Sequence, residues 1–471
     1  MHSRLASFLG LLGIALLTSG SGCSKTINDK TANLSVTTRA SQASNGAQGN
    51  GAASIERAAI SKDGRYIAFV SKATNLTAND TNNAIDVFYR DNLMKSTVCV
   101  SVTPGVNGVP GAGPSGSPTI SNDGKYVCFA SKAPDITADA PDVGTQLTHI
   151  FVRNMATGVT VLVDRSTGQL GDKANGDCSN PEISGNGRYV VFESTAKNLD
   201  GADPGGEDDD ILSDIYRRDW NDSALLFPTI LISKSSLALT NQKGNGNSQN
   251  PTISEDGNYI AFSSAATNLI PDASVFGPDN GATTDIFRRD VLNNATVRVS
   301  VADPASATFP HPDGASFVPS ISSNGRFIVF MSNATNLALE DDGSANDIFV
   351  RDVDAGTSVI ISVHTSGAQA GNGCNFPQIS GDGNTVVWQS PSPSLINGDA
   401  NGVEDIFIRN RSAKTTDRIS VATYGGELNG KSLRPNISRD GRYVIFYTEA
   451  ANAADDDNNG TADFYMRGPP F

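Results

Sequence analysis

Residues 319–332 read Pro-Ser-Ile-Ser-Ser-Asn-Gly-Arg-Phe-Ile-Val-Phe-Met-Ser, and this stretch decides the fold. A short β-prone piece, Pro319 to Ser322, runs into Asn324-Gly325, a dipeptide suited to a tight type I′ hairpin. Beyond it, Arg326 to Ser332 is rich in β-branched and aromatic residues, as a strand should be. A loop of Asn, Asp and Gly follows, then Asp347 to Asp352 (DIFVRD), which alternates along a pleat. Ala355-Gly356-Thr357 turns the chain into a fourth piece, Ser358 to Val363 (SVIISV). Four antiparallel strands in a row cannot bury both faces of their sheet alone.

The unit recurs. Ile-Ser-x-Asp/Asn-Gly begins at Ile60, Ile120, Ile183, Ile253, Ile321, Ile379 and Ile437, 58 to 70 residues apart. Radial stacking of such meanders buries every face, so the spacing predicts an all-β chain folded as a seven-bladed β-propeller of four-stranded blades. The seventh unit supplies only Pro435 to Ser438, Arg442 to Thr448 and Ala462 to Arg467, while an orphan piece, Leu34 to Thr37, lies near the other end. That piece matches the fourth-strand segments Val299 to Val301 and Ile419 to Val421. The N-terminal strand is therefore expected to complete the last blade and close the ring, covering an exposed edge.

The units S-K-D-G-R-Y-I-A-F (61–69), S-E-D-G-N-Y-I-A-F (254–262) and S-R-D-G-R-Y-V-I-F (438–446), each with a following D-I-F-x-R-D-like strand, resemble TolB-type, WD40-like propeller repeats. The resemblance spans about residues 33–471 and implies a fold rather than an activity. The chain has seven units where TolB resembles a six-bladed ring, and no counterpart of TolB's extra N-terminal domain is expected, so TolB's own role is not implied.

The first residues read as a targeting segment. Arg4 precedes a short apolar run, Leu5 to Leu17, and small residues lead to Cys23, which predicts a signal peptide over 1–22. Cys23 after Gly20-Ser21-Gly22 resembles a bacterial lipobox, with Gly20 where the pattern usually has Leu; lipidation of Cys23 is the expectation, followed by a tether over 23–32 and a propeller over 33–471. By the same resemblance, Ser24 directs the lipoprotein to the outer membrane. The expected location is thus the cell envelope, with membrane contact only through the anchor.

The chain carries a net charge of -15 and 46 glycines, a balance opposed to a nucleic-acid groove, which needs clustered Lys and Arg. Cys178 and Cys374 occupy equivalent places in units three and six, too far apart in a seven-membered ring to pair, and Cys99 and Cys128 sit in strands. Free thiols are expected.

Strand order puts the Asp-Gly hairpins and third-to-fourth turns on one face. The longer second-to-third loops and interblade connections, such as 200–213, 270–284 and 104–118, lie on the other, where a scaffold usually binds. Two of these loops have a calcium-like pattern of alternating oxygen ligands, a Gly and a closing carboxylate. One is Asp455, Asp457, Asn459, Gly460 and Asp463; the other is Asn397, Asp399, Asn401, Gly402 and Asp405. The first unit has a reduced form, Asp80, Asn82 and Asp86, while the fourth and fifth match less well, and His149 ends the second. The competing reading is that these residues simply make turns. The third-strand arginines, Arg90, Arg153, Arg218, Arg289, Arg351, Arg409 and Arg467, repeat at one register and read as structural.

No zinc-type His pattern and no nucleophile elbow occurs in the mature chain; His149, His311 and His364 are isolated. The expectation is a monomeric, non-enzymatic scaffold binding a protein or glycan partner, with calcium as the candidate cofactor. The alternative is a carbohydrate-active enzyme, a glycosidase or lyase, using carboxylates from different blades.

Overall fold

The computed structural model describes residues 36–105, 108–137, 146–169, 171–199, 211–222, 224, 226–236, 242–270, 283–303, 311–343 and 346–470. The expected signal peptide over 1–22, Cys23, residues 208–210 and much of the loops 200–213 and 270–284 lie outside these residues.

Seven four-stranded antiparallel sheets follow one another, one for each Ile-Ser pair, and blades are numbered here in that order. In blade five the strands are Ser316–Ile321, Phe327–Ser332, Asp347–Asp352 and Thr357–Ile360. Blade seven is completed from the other end of the chain: Val36–Arg39 pairs antiparallel with Asp463–Gly468, Val36 opposite Gly468 and Arg39 opposite Tyr465. The closure is cemented between blades one and seven, where Phe69, Phe88, Ile445, Phe464 and Met466 share one apolar cluster. Burying each such ring stabilises the ring of blades by about 2 kcal/mol.

The marker pentapeptide explains itself in the structure. Each Ser hydroxyl donates to the Asp or Asn two residues on and accepts the backbone N–H at the start of the second strand, as Ser61 does with Asp63 at 2.9 Å and Tyr66 at 2.9 Å. The Gly N–H returns to the Ser carbonyl, and only the Gly has positive φ, +74° at Gly325. The hairpin is thus a type I turn ending in a left-handed Gly, in place of the type I′ turn expected from Asn-Gly. A side chain at that Gly is doubly excluded, because the ring of Tyr259 in the preceding blade would lie 2.3 Å from a Cβ on Gly325.

The inner strands start earlier than the sequence suggested. Ser316–Ile321 begins three residues before Pro319, and 104–118 contains the first part of the inner strand Ser115–Ile120. Proline cannot donate to a ladder, so it read as a strand start; the structure accommodates it with a bulge, a register shift between Phe317 and Ser320. Blades two to seven share the device.

The four described cysteines, Cys99, Cys128, Cys178 and Cys374, are free thiols. The third-strand arginines are structural in a specific way: each guanidinium donates to a Thr or Ser hydroxyl on the fourth strand, as Arg409 does to Thr416 at 2.7 Å. Several also reach carbonyls of the preceding connection, as Arg218 does to Arg165 and Ser166.

Candidate functional site

The propeller axis is lined from three registers of the repeat. Counted from each Ile of the Ile-Ser pair, the residues three before and one before, and the residue two after, line two stacked cavities. Inner strands run from the long-loop face to the hairpin face, so these registers form a mouth, a wall and a floor.

The floor is closed by backbone. Residues 62, 122, 185–186, 255, 323, 381 and 439–440 hand hydrogen bonds from blade to blade round the entire ring, at 2.8–3.1 Å. Gly381 sits tightly in this ring: a Cβ there would stand 2.8 Å from the carbonyl oxygen of Arg439. Over this ring lies the Arg439 side chain, which crosses from blade seven to donate to the Ile321 carbonyl of blade five at 2.7 Å. It also pairs with Glu182 of blade three at 3.5 Å. Burial pulls the Arg439 guanidinium below its ordinary value, and Glu182 opposes that shift.

Above the floor the wall is small and polar: Thr119, Glu182, Ser320, Gln378 and Asn436. Glu182 accepts from Thr252 at 3.2 Å and faces Arg57 of blade one at 3.7 Å, so three blades meet at one carboxylate. The space widens from about 50 Å³ at the floor to about 300 Å³ at the mouth. At the mouth stand Ser117, Asn180, Asn250, Val318, Phe376 and Arg434, each just before a proline and each with φ between +46° and +53°. Left-handed backbone is strained for a β-branched or aromatic residue, and Val318 and Phe376 adopt it at the rim of the cavity. The Arg434 guanidinium lies over the Phe376 ring, 3.7 Å from its centroid. Glu56 accepts the Ser117 N–H. The charged lining is thus Arg57, Arg434 and Arg439 against Glu56 and Glu182.

These residues occupy the variable x positions around Pro-x-Ile-Ser-x, so no repeated motif marks them. The readable signal was their variety at a fixed register: Ala59, Thr119, Glu182, Thr252, Ser320, Gln378 and Asn436.

The loop residues with the calcium-like pattern lie on the long-loop face, in the outer half of each blade. In blade six, Asp399 and Asp405 come together with Glu427, which the pattern did not include. Arg418, the last residue of the fourth strand, points its guanidinium into the cluster, 3.4 Å from Asp399, 3.3 Å from Asp405 and in contact with Glu427. Asn401 donates to Asp405 at 3.1 Å, and Asn397 is exposed at the start of the loop. Blade seven repeats this with Arg39, which lies 3.6 Å from Asp457 and 3.4 Å from Asp463. Asn459 donates to Asp463 at 3.0 Å, and Asp455 is exposed. Protein cations also approach the corner in blades three and four: Lys243 lies 2.8 Å from Asp214, and Arg298 3.9 Å from Asp285. In blade two His149 takes the aspartate's place and meets Asp164 at 2.5 Å.

Burial drives the corner carboxylates up from their ordinary range: Asp80 and Asp399 to about 6 and Asp347 to about 7.

No family model and no curated protein matches the chain. Solved structures do. An oligogalacturonate lyase in complex with manganese is 11% identical, with a TM-score of 0.50, over 93% of this chain and 92% of that one. An oligogalacturonate lyase from Vibrio parahaemolyticus is 10% identical, with a TM-score of 0.49, over 89% of this chain and 91% of that one. TolB from Acinetobacter baumannii is 15% identical, with a TM-score of 0.38, over 75% of this chain; the chain spans 63% of that TolB's length. At such identities the likeness is one of fold.

Proposed function

We propose that the protein is a non-enzymatic binding propeller of the cell envelope whose axial pocket takes an acidic glycan segment from the long-loop face. One observation carries the reading: in a chain of net charge -15, the pocket has three arginines against two glutamates. Guanidinium groups suit sugar carboxylates, and the wall of Thr119, Ser320, Gln378 and Asn436 offers donors and acceptors to hydroxyls. The Arg434–Phe376 pair gives the mouth a flat surface against which a ring can lie. The envelope location rests on the signal-like segment and Cys23, and mass spectrometry of the membrane-extracted protein tests the acyl chains on that cysteine.

A glycan lyase is the second reading, favoured by a carboxylate at the pocket bottom beside two guanidiniums, a pairing that serves proton abstraction next to a sugar carboxylate. Both Glu182 oxygens are already engaged, Oε1 by Arg439 and Thr252 and Oε2 by Arg57, which favours binding over turnover. Incubation with uronic-acid oligomers separates the two. A binding protein gives a saturable heat and no product; ultraviolet absorbance from an unsaturated product would make the protein an enzyme.

A further inference from the structure

The corner of blade five lacks two groups that the corners of blades six and seven both carry. In blades one, six and seven an Asn side chain donates to the outer oxygen of the closing aspartate, from Asn82, Asn401 and Asn459. The corresponding residue of blade five is Gly343, which has no side chain to offer. In blades four, six and seven the fourth strand ends in arginine, at Arg298, Arg418 and Arg39; in blade five it ends in Ile360. Both changes remove a positive or donating group from the same place.

The carboxylates have stayed. Asp347 is 1% exposed; its Oδ1 accepts the Ser362 hydroxyl at 2.5 Å, and its Oδ2 is buried without a hydrogen-bond partner. The Oδ2 of Asp341 is likewise buried and unpartnered. One oxygen from each of Asp341, Asp342 and Asp347 lies within 4.8 Å of the others. Among the described residues, no Lys or Arg pairs with Asp341 or Asp347. An orphaned buried carboxylate oxygen costs free energy that a cation would recover.

We propose that blade five binds a calcium ion through Asp341, Asp342 and Asp347, in the place that a guanidinium takes in blades six and seven. The ligands are hard carboxylate oxygens on a loop, which suit calcium, and the exposed Asp342 leaves the solvent side open for waters to complete its shell. The loop is anchored from the next connection, where Gln369 accepts the Asp342 N–H at 3.2 Å and donates to the Glu340 carbonyl. With three carboxylates and a solvated face, the affinity falls at about 10⁻⁴ to 10⁻³ M, the range of extracellular modules.

The test is calorimetric titration of the purified full-length protein with calcium chloride up to about 5 mM, beside thermal unfolding in calcium and in chelator. One site and a chelator-reversible rise in melting temperature on the order of 2 °C are expected. Asp347→Asn and Ile360→Arg should each abolish both signals, the second by installing the arginine of blade six. Asp341→Asn, at a less buried position, weakens binding at least about tenfold and serves if either of the others fails to fold. No heat and no shift in the parent protein would overturn the proposal. So would a calcium response that survives in these variants, because the ion would then sit elsewhere.

Discussion

The axial pocket and the outer corners are built from the same seven repeats, yet they put charge to opposite uses. At the corners a carboxylate is buried and, in blades three, four, six and seven, a Lys or Arg of the protein lies beside it. In those corners a protein cation shares the charge of the buried carboxylate. At the axis the residues of one register vary from blade to blade, as Ala59, Glu182, Gln378 and Asn436 do, and the cations outnumber the anions. Repetition in this chain builds structure, and departure from repetition builds sites. Among the described residues, blade five has neither the corner cation nor the Asn donor of blades one, six and seven, and an oxygen of Asp341 and of Asp347 is left buried without a partner.

The largest test of that contrast is Arg418→Met. It strips the cation from Asp399, Asp405 and Glu427 and should cost about 3 kcal/mol in denaturant unfolding in chelator, since a buried pair is broken from one side. If the contrast is right, added calcium regains part of that loss; a cost under about 0.5 kcal/mol would show that the guanidinium does not hold the corner.

At the axis, Gly381→Ala pushes a Cβ against the Arg439 carbonyl and opens the backbone ring of the floor, for about 2 kcal/mol. The same change at the solvent-facing Gly426, whose Cβ would meet nothing within 4 Å, should shift the unfolding midpoint little.

The smallest effect is a pH dependence in blade one. Burial, with Asp86 adding to it, raises the folded-state pKa of Asp80 from 3.8 to about 6. The folded protein therefore holds this proton more tightly than the unfolded chain. The resulting stabilisation is complete below about pH 4 and is lost as pH rises through about 6. Asp80→Asn removes that fall, so the variant should match the parent near pH 4 and exceed it by about 1 kcal/mol at pH 8, the size being limited by solvent near the loop. Equal midpoints for both proteins at pH 8 would contradict the assignment.

How much of this was legible in the sequence follows from the same contrast. The blades, their number and the closure by the N-terminal strand were readable because Ile-Ser-x-Asp-Gly does one job seven times, and its Ser, Asp and Gly are each required by the hairpin. The first strands start earlier than their prolines suggest because a bulge accommodates the proline, and the bulge leaves no separate mark in the residues. The carboxylate loops could be seen, but the groups facing them could not. Arg39 reaches Asp463 from more than four hundred residues away, and Arg418 comes from a neighbouring strand. The loop pattern therefore pointed to blades six and seven, and only the third dimension directed attention to Gly343 and Ile360. The axial residues were hidden for a related reason, since Arg57, Glu182 and Arg439 belong to different blades and meet only when the ring closes.

The most direct measurement on the axial pocket is the affinity of a uronic-acid oligomer for the parent protein and for Glu182→Gln, by calorimetry at low and moderate salt. Removing this negative charge should free Arg57 and Arg439 for the ligand, tightening binding about tenfold at low salt, with the gain shrinking as salt rises. Unchanged or weaker binding in Glu182→Gln, or no binding to the parent at all, would contradict the claim that the axial pocket is a site for an acidic glycan.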